Sequence, residues 1–371
     1  MNILLKLYPR LNLGDDLFLK IICERYPHVN FFLFAKKHYL KSGSWNNLTT
    51  YQGSFKDSFL KKLKRVAVRK YLPQKFEREI QKVFSDQNKD ILNKVDGFVS
   101  IGGSIFIQIA EDVSLDNEIA YYHLIESKLK DKPKYFIGCN FGPYRSVEYL
   151  KEYTGIFERS TDVCFREQFS FNLFKDLDNV RLAPDVVFGM KTEPNDTRPS
   201  TVGFSIVPAR GAVSEQGYFS KYAELIKEYQ KKGFEISLFS FCKEEGDENA
   251  IESIIALLES QDNINRVYYK GDIDDFLKHY SEMEYMYCGR FHAMILSMLY
   301  NQKLFPVVYS EKMTNVLKDI EYGGEYIDMK KIGELDISST LKQIELNKYN
   351  IDQQKIDAQL QFNALDIFLN D

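Results

Sequence analysis

Two α/β domains, each a doubly wound parallel sheet, facing each other across a cleft, are predicted by three features of this sequence. Apolar stretches with strand patterning alternate with helix-period stretches along most of the chain. A proline-rich polar run, Lys191 to Ser200 (KTEPNDTRPS), interrupts the alternation as a linker would. The 371 residues exceed one ordinary core, which favours two units of roughly 150 to 200 residues. The predicted division is 1–190, a linker at 191–200, 201–345, and a tail at 346–371 that packs back on the body.

With 44% hydrophobic and 14% aromatic residues the chain can bury two cores. Forty-nine basic against 53 acidic residues leave a net charge of −4, which argues against a general nucleic-acid binder. The five cysteines, Cys23, Cys139, Cys164, Cys242 and Cys288, are odd in number and widely spaced. No Cys-x-x-Cys pair or His-rich spacing points to a metal, and the scattered set fits a reducing cytoplasm. The N-terminal apolar stretch is too short for a signal peptide, and no run approaches the ~18 apolar residues that span a bilayer.

In the first half, Asn2 to Tyr8 is apolar and extended. Asn12, Gly14, Asp15 and Asp16 then open a helix that buries Leu17, Phe18, Ile21 and Ile22, with Asp15 or Asp16 expected at its N-cap. Strand Val29 to Ala35 follows, and Lys41 to Phe55 is turn-rich with no clear element. Lys56 to Lys82 holds ten Lys/Arg and three acids. Its Leu60, Leu63, Val66 and Ala67 have helical spacing, which suits either a solvated helix face or contact with an anionic membrane surface. Asp96 to Gly103 (DGFVSIGG) is a buried strand ending in Gly102 and Gly103, then Ser104, a turn that also lets a ligand approach the backbone. Helix Asn117 to Lys130, strand Lys134 to Cys139, the loop Asn140 to Pro143 and a helix ending near Ser160 come next. Strand Asp162 to Phe165 leads to Arg166, Glu167 and Ser170 at the start of another helix. Val180 to Phe188 closes the half, with Asp185 as either a turn or inter-domain residue or a catalytic one.

After the linker come strand Thr201 to Val207, helix Tyr218 to Lys232, strand Phe234 to Phe241, helix Asp247 to Ser260, strand Arg266 to Lys270 and helix Asp272 to Met283. Arg210 lies in the loop after the first of these strands, where open α/β sheets bind ligands. The stretch that organises the chain is Tyr285 to Met313, YMYCGRFHAMILSMLYNQKLFPVVYSEKM. A short strand stops at Gly289 and an apolar helix begins at once. Arg290 and His292 sit at that helix start, where unpaired N–H groups and the helix dipole favour an anion. A guanidinium fork suits phosphate or carboxylate, and an imidazole exchanges protons near neutral pH. The following strand, Leu304 to Tyr309, returns Lys312 to the same sheet edge. In the tail, Ile356, Leu360, Ala364 and Ile367 share one helical face, with Phe362 off it, so an amphipathic helix is expected.

The string from Gly289 to Lys312 resembles the Arg-x-His-Ala block of the polysaccharide pyruvyl transferase family, with its following strand and downstream lysine. Asn12-x-Gly14-Asp15 resembles the N-terminal block of that family, and Gly102-Gly103-Ser104 its glycine-rich block. The Gly138 to Pro143 loop, Arg166-Glu167-x-x-Ser170 and Asp185 look like weaker landmarks. The predicted pair of Rossmann-like domains is similar to the GT-B arrangement of many glycosyltransferases.

The resemblance implies transfer of the enolpyruvyl unit of phosphoenolpyruvate onto a sugar of a surface or capsular polysaccharide precursor, as a ketal. His292 is then the candidate acid, and Asp15 or Asp16, from the opposite domain, the base that deprotonates the acceptor. Arg290, Lys312 and Arg210 would hold carboxylate and phosphate, with neither metal nor cofactor. Asn12, Gly14, Gly102, Gly103, Ser104 and Arg166 complete the expected substrate-binding set. Acceptors of this family can be lipid-linked, which would give segment 56–82 a reason to touch the inner face of the membrane from a cytoplasmic protein. Two rivals stand beside this reading: a GT-B glycosyltransferase using a nucleotide sugar, and a non-catalytic scaffold of glycan assembly. Binding of a nucleotide would favour the first, whereas Arg290, His292 and Lys312 together speak against the second.

Overall fold

The computed structural model describes residues 1–8, 10–35, 45–52, 90–108, 113, 116–192, 200–209 and 214–370. Segment 56–82, Arg210 and residues 193–199 of the expected linker lie outside them.

Among the described residues the first sheet has seven strands: β1 Asn2–Lys6, β2 Asn30–Ala35, β3 Leu48–Gln52, β4 Gly97–Ile101, β5 Lys134–Cys139, β6 Asp162–Phe165 and β7 Val180–Leu182. Their order is β3-β2-β1-β4-β5-β6-β7, and every pairing is parallel. Helices α1 Leu13–Arg25, α2 Asn117–Lys128, α3 Val147–Glu158 and α4 Gln168–Phe174 connect them. The second sheet, again among the described residues, has six: β8 Thr201–Ser205, β9 Glu235–Ser240, β10 Ile264–Tyr268, β11 Tyr285–Cys288, β12 Lys303–Val308 and β13 Ile327–Asp328. Their order is β10-β9-β8-β11-β12-β13, again parallel. Here the helices are α5 Glu215–Lys231, α6 Asp247–Ile255, α7 Ile273–Ser281, α8 Phe291–Leu299 and α9 Glu311–Asp319, followed by α10 Ile337–Leu346, α11 Asp352–Asp357 and α12 Asn363–Asn370. These are two Rossmann-like domains facing a cleft, a GT-B-like arrangement.

Strands β4, β5 and β6 are buried at every residue, because helices cover both faces of a parallel sheet. That is why they read as mainly apolar runs without strand alternation. Strand order reverses between β1 and β4, and again between β8 and β11. Loops leaving the two strands at such a reversal diverge to opposite faces and open a crevice. The loops after β1, β4 and β11 carry Asn12 to Asp15, Gly102 to Ser104, and Gly289 to His292.

One hydrophobic cluster runs through both lobes. It joins Leu17 and Phe18 of α1 to Phe276 and Tyr280 of α7 and Met294 and Met298 of α8. A second, aromatic cluster fills the far face of the first sheet, where Phe106 meets Tyr153 and Phe157 meets Phe174 at centroid distances of 4.9 Å. Edge-to-face pairs of this kind add about 0.5–1.5 kcal/mol each beyond burial.

The tail departs from the expected single helix. A 3-10 turn at Ala358–Phe362 separates α11 from α12, and its tighter winding rotates the register of everything after it. The expected stripe is not the buried one: Ile356, ahead of the turn, and Leu360 and Ile367, within and beyond it, are exposed, while Ala358, Phe362, Leu365 and Leu369 are buried. The tail lies on the first sheet. Asp366 takes a bidentate pair from Arg25 at 3.0 and 2.6 Å. Buried Gln361 accepts from Gly138 N at 2.8 Å and donates to Ala183 O at 2.8 Å.

Strand β3 also falls inside the stretch that sequence left unassigned. All five cysteines are free and buried. Among the described residues no helix is long and apolar enough to cross a membrane.

Candidate active site

The two reversal points face one another across a cleft of about 1100 Å³. Its wall includes Asn12, Gly14, Asp15, Gly103, Ser104, Arg166, Arg290, His292 and Lys312. Gly102 does not line it. With φ at +144°, it shapes the turn that brings Gly103 and Ser104 there.

The first correction concerns the start of α1. Asn12, not an aspartate, caps the helix, its Oδ1 accepting from Gly14 N at 3.1 Å. Asp15 is thereby left facing the cleft. Burial, reinforced by neighbouring Asp16, pushes its carboxyl up to about 7 against the pull of Lys312 and Arg166. Asp16 points the other way and is fully buried, accepting from Tyr269 Oη of the second lobe at 2.6 Å. It has no access to an acceptor hydroxyl, which removes it as a candidate base.

His292, in the first turn of α8, lies between the lobes. Its ring sits edge-on to Phe18 and Phe291, and its side chain keeps 13% exposure. The imidazole is therefore packed on two sides and open to the cleft on another. Nε2 lies 3.7 Å from Asp185 Oδ2, beyond hydrogen-bond length, and has no other partner. Burial holds the ring below its ordinary value. Asp185 opposes that shift, while Arg166 and Lys312 reinforce it. His292 is therefore neutral at physiological pH.

Arg290 does not present its fork to the cleft. It stands at the N-cap of α8, but Nε and Nη2 engage Asp247, Nε at 3.1 Å, and Nη1 donates to Glu245 at 2.6 Å. Glu245 also accepts from Asn12 Nδ2 at 3.2 Å, and Leu13 N donates to Phe241 O at 3.0 Å. Asp247 in turn accepts from the backbone N–H groups of Phe241 and Cys242, both at 3.0 Å. Arg290 thus anchors a network that ties α1 to the second lobe, rather than acting as a free anion ligand.

Arg166 is similarly committed. Nη1 donates to Asp185 at 2.7 Å and Nη2 to Asn140 at 2.6 Å, and the guanidinium lies 4.5 Å from the Phe291 ring centroid. Gly103 makes room for it, since a Cβ there would come within 2.3 Å of Nη1. Asp185 is wholly buried. Burial alone would raise its carboxyl, but Arg166, helped by His292, holds it down to about 2. Nearby, Glu167 accepts from Ser170 Oγ at 2.8 Å and from Asn315 Nδ2 of α9 at 3.1 Å, another contact between lobes.

Among the described residues, Lys312 is the sequence-predicted cation that remains available. Nζ donates to Ser104 Oγ at 3.3 Å and lies 5.4 Å from the Phe291 ring centroid. No carboxylate among the described residues pairs with it. Two uncapped helix starts line the same cleft. Neither Arg290, before α8, nor Ser310, before α9, supplies a side-chain cap, and Ser310 Oγ is buried without a partner. Unpaired first-turn N–H groups at both starts favour an anion.

Sequence reasoning missed Glu245, Asn140, Ser310 and Asn315. Asp247 it saw only as a helix start. A carboxylate-rich run, Glu244 to Glu248, following a strand was the available signal for a partner to Arg290. Among the described residues, no group of three or more His, Cys, Asp or Glu side chains is placed to hold a metal ion.

Residues 12–311 match the family described as polysaccharide pyruvyl transferase. The chain is 20% identical over 300 residues to the amylovoran biosynthesis protein AmsJ of Erwinia amylovora, covering 73% of this chain and 70% of that one. In fold it is similar to the UDP-GlcNAc 2-epimerase of Methanocaldococcus jannaschii, with a TM-score of 0.58, 10% identity and 99% of each chain covered. It is likewise similar to Anabaena Alr3699/HepE in complex with UDP and glucose, with a TM-score of 0.51 and 12% identity over 99% of this chain and 94% of that one. These two likenesses concern the fold alone. With a match across both lobes that takes in the whole Asn12 to Asp15 and Arg290 to His292 constellation, the chain belongs to the polysaccharide pyruvyl transferase family.

Proposed function

We propose that the protein transfers the enolpyruvyl unit of phosphoenolpyruvate to two hydroxyls of a saccharide, forming a ketal and releasing phosphate. The observation that carries this reading is that Asp15 and His292, brought from different lobes, line one cleft together with Lys312. One carboxyl is pushed up toward 7 and one imidazole is held below its ordinary value. The ordinary order of carboxyl and imidazole is thereby inverted, and two groups set in this way divide acid and base work.

The division reverses the roles expected from sequence. Asp15, partly protonated at neutral pH, is the suited donor to the methylene carbon. Neutral His292 is the suited acceptor of a hydroxyl proton. The C3 carbon of phosphoenolpyruvate gains a proton and becomes a methyl group, and an acceptor oxygen bonds to C2. The second hydroxyl then displaces phosphate at C2, and its proton leaves with the phosphate. Lys312 and the starts of α8 and α9 hold the anionic donor, a stabilisation supplied by fixed charges and dipoles. General acid–base catalysis of this kind contributes about 10²- to 10⁴-fold.

The test is phosphate release from phosphoenolpyruvate in the presence of saccharide acceptors. Asp15→Asn and His292→Ala should each lower turnover by at least about 100-fold while leaving the circular dichroism spectrum unchanged. Normal turnover in either variant would remove that residue from the mechanism.

A further inference from the structure

A three-carbon phosphoester held at Lys312 occupies little of a cleft of about 1100 Å³, a size just above the roughly 300–1,000 Å³ typical of small-molecule sites. Part of the remaining wall comes from the first lobe alone. There, at the end of β1, Lys6 pairs with Glu118 in the first turn of α2 and donates to Tyr122 Oη at 3.1 Å. Its ammonium lies 4.7 and 5.3 Å from the ring centroids of Tyr122 and Tyr121. The side chain of Lys6 is 16% exposed and that of Glu118 50%. The carboxylate is thus fixed from behind through Oε2 by a covered cation, while Oε1 has no partner among the described residues. Tyr121 stands beside it, half-buried, backed by Phe98 and Tyr122. Three large apolar side chains, Tyr8, Ile107 and Phe169, line the same cleft with 36 to 49% of their surface exposed.

We propose that this part of the cleft is a sugar subsite, in which Glu118, set by Lys6, binds ring hydroxyls of a neutral hexose while Tyr121 covers one face. A hexose presents hydroxyl edges and apolar C–H faces, and a fixed carboxylate–ammonium pair beside an aromatic ring matches both. An anionic ligand would meet the carboxylate of Glu118, and an acyl chain would strip water from an ion pair without replacing it. The assignment deepens the transferase reading by naming where its acceptor sits, and it rests on that reading for the donor alone.

The experiment is saturation-transfer NMR on the full chain with the methyl glycosides of glucose, galactose, mannose and N-acetylglucosamine, with and without phosphoenolpyruvate. At least one glycoside should bind through its ring protons. Glu118→Gln and Tyr121→Ala should weaken its affinity at least about tenfold, the scale of one hydrogen bond to a charged group. Tyr121→Phe keeps the ring and should retain binding, so a misfolded Ala variant would not decide the matter. Phosphoenolpyruvate affinity, measured by titration calorimetry, should be unchanged in all three. Absence of glycoside binding, or equal binding by all variants, overturns the subsite. Glycoside binding with this pattern but no phosphoenolpyruvate binding overturns the donor reading and leaves the subsite standing.

Discussion

Gly14 and His292 come from different lobes and touch: a Cβ on Gly14 would stand 2.1 Å from Nδ1 of the imidazole. Glycine at this position is a requirement of close approach, made where the start of α1 meets the start of α8. The contact fixes the ring beside Asp15 and makes its placement depend on the fit of the two domains.

Gly14→Ala should therefore displace His292 without unfolding the protein, because the first turn of a helix accepts alanine readily. A shift of about 1 Å in a reacting group costs on the order of 100-fold in rate. Phosphate release should fall by that order with a far-ultraviolet spectrum like that of wild type. Turnover near normal would show that the imidazole position is not critical.

Activity should follow a bell in pH. It needs His292 neutral, so it rises through the histidine value, which lies below 6.5, and it needs Asp15 protonated, so it falls through about 7. Asp16→Asn removes the negative neighbour that helps to raise Asp15, which should move the alkaline limb to lower pH. The profile of kcat/KM in wild type and variant checks both statements, and a profile flat from pH 6 to 9 would contradict the assignment.

Arg290→Met should act on stability rather than on donor affinity. It leaves Asp247 and Glu245 without their cation in a buried network, a loss of roughly 3–5 kcal/mol. Thermal denaturation should show a clear drop, while calorimetry on the folded fraction at low temperature should show phosphoenolpyruvate affinity little changed. A large rise in Kd with unchanged stability would restore Arg290 as a direct ligand.

Asp185 supplies an acid-sensitive contribution. Its folded carboxyl, at about 2, lies below the ordinary 3.8, so its stabilisation is fully present above about pH 4 and is lost as pH falls toward 2. Asp185→Asn should flatten acid unfolding over that window. It should also move the acid limb of the activity profile lower, because Asp185 is the group that holds the His292 value up. An unchanged acid limb would separate Asp185 from the histidine.

Much of the fold was legible because buried parallel strands announce themselves. Behind a single charged residue at the start of each, Lys134 to Cys139 and Asp162 to Phe165 are otherwise apolar, apart from Gly138, and the strands are found there to the residue. Strand β3, with the sequence LTTYQ, lacks that signal and is held by pairing with β2. The site was half legible. Local sequence placed Arg290, His292 and Lys312 at a sheet edge, but whether a cation is free depends on partners far away in the chain. The carboxylates of Arg290 lie 43 and 45 residues before it, and Asp185 lies 19 after Arg166. The tail misled for a different reason, since one 3-10 turn breaks the period on which a stripe is counted.

The central claim is tested most directly by mass spectrometry of products formed from phosphoenolpyruvate and a panel of lipid- or nucleotide-linked saccharides, with phosphate measured in parallel. The account predicts a saccharide heavier by one pyruvate less water, one phosphate released per ketal, and neither product from His292→Ala. Transfer of a sugar from a nucleotide donor, with phosphoenolpyruvate left intact, would contradict it.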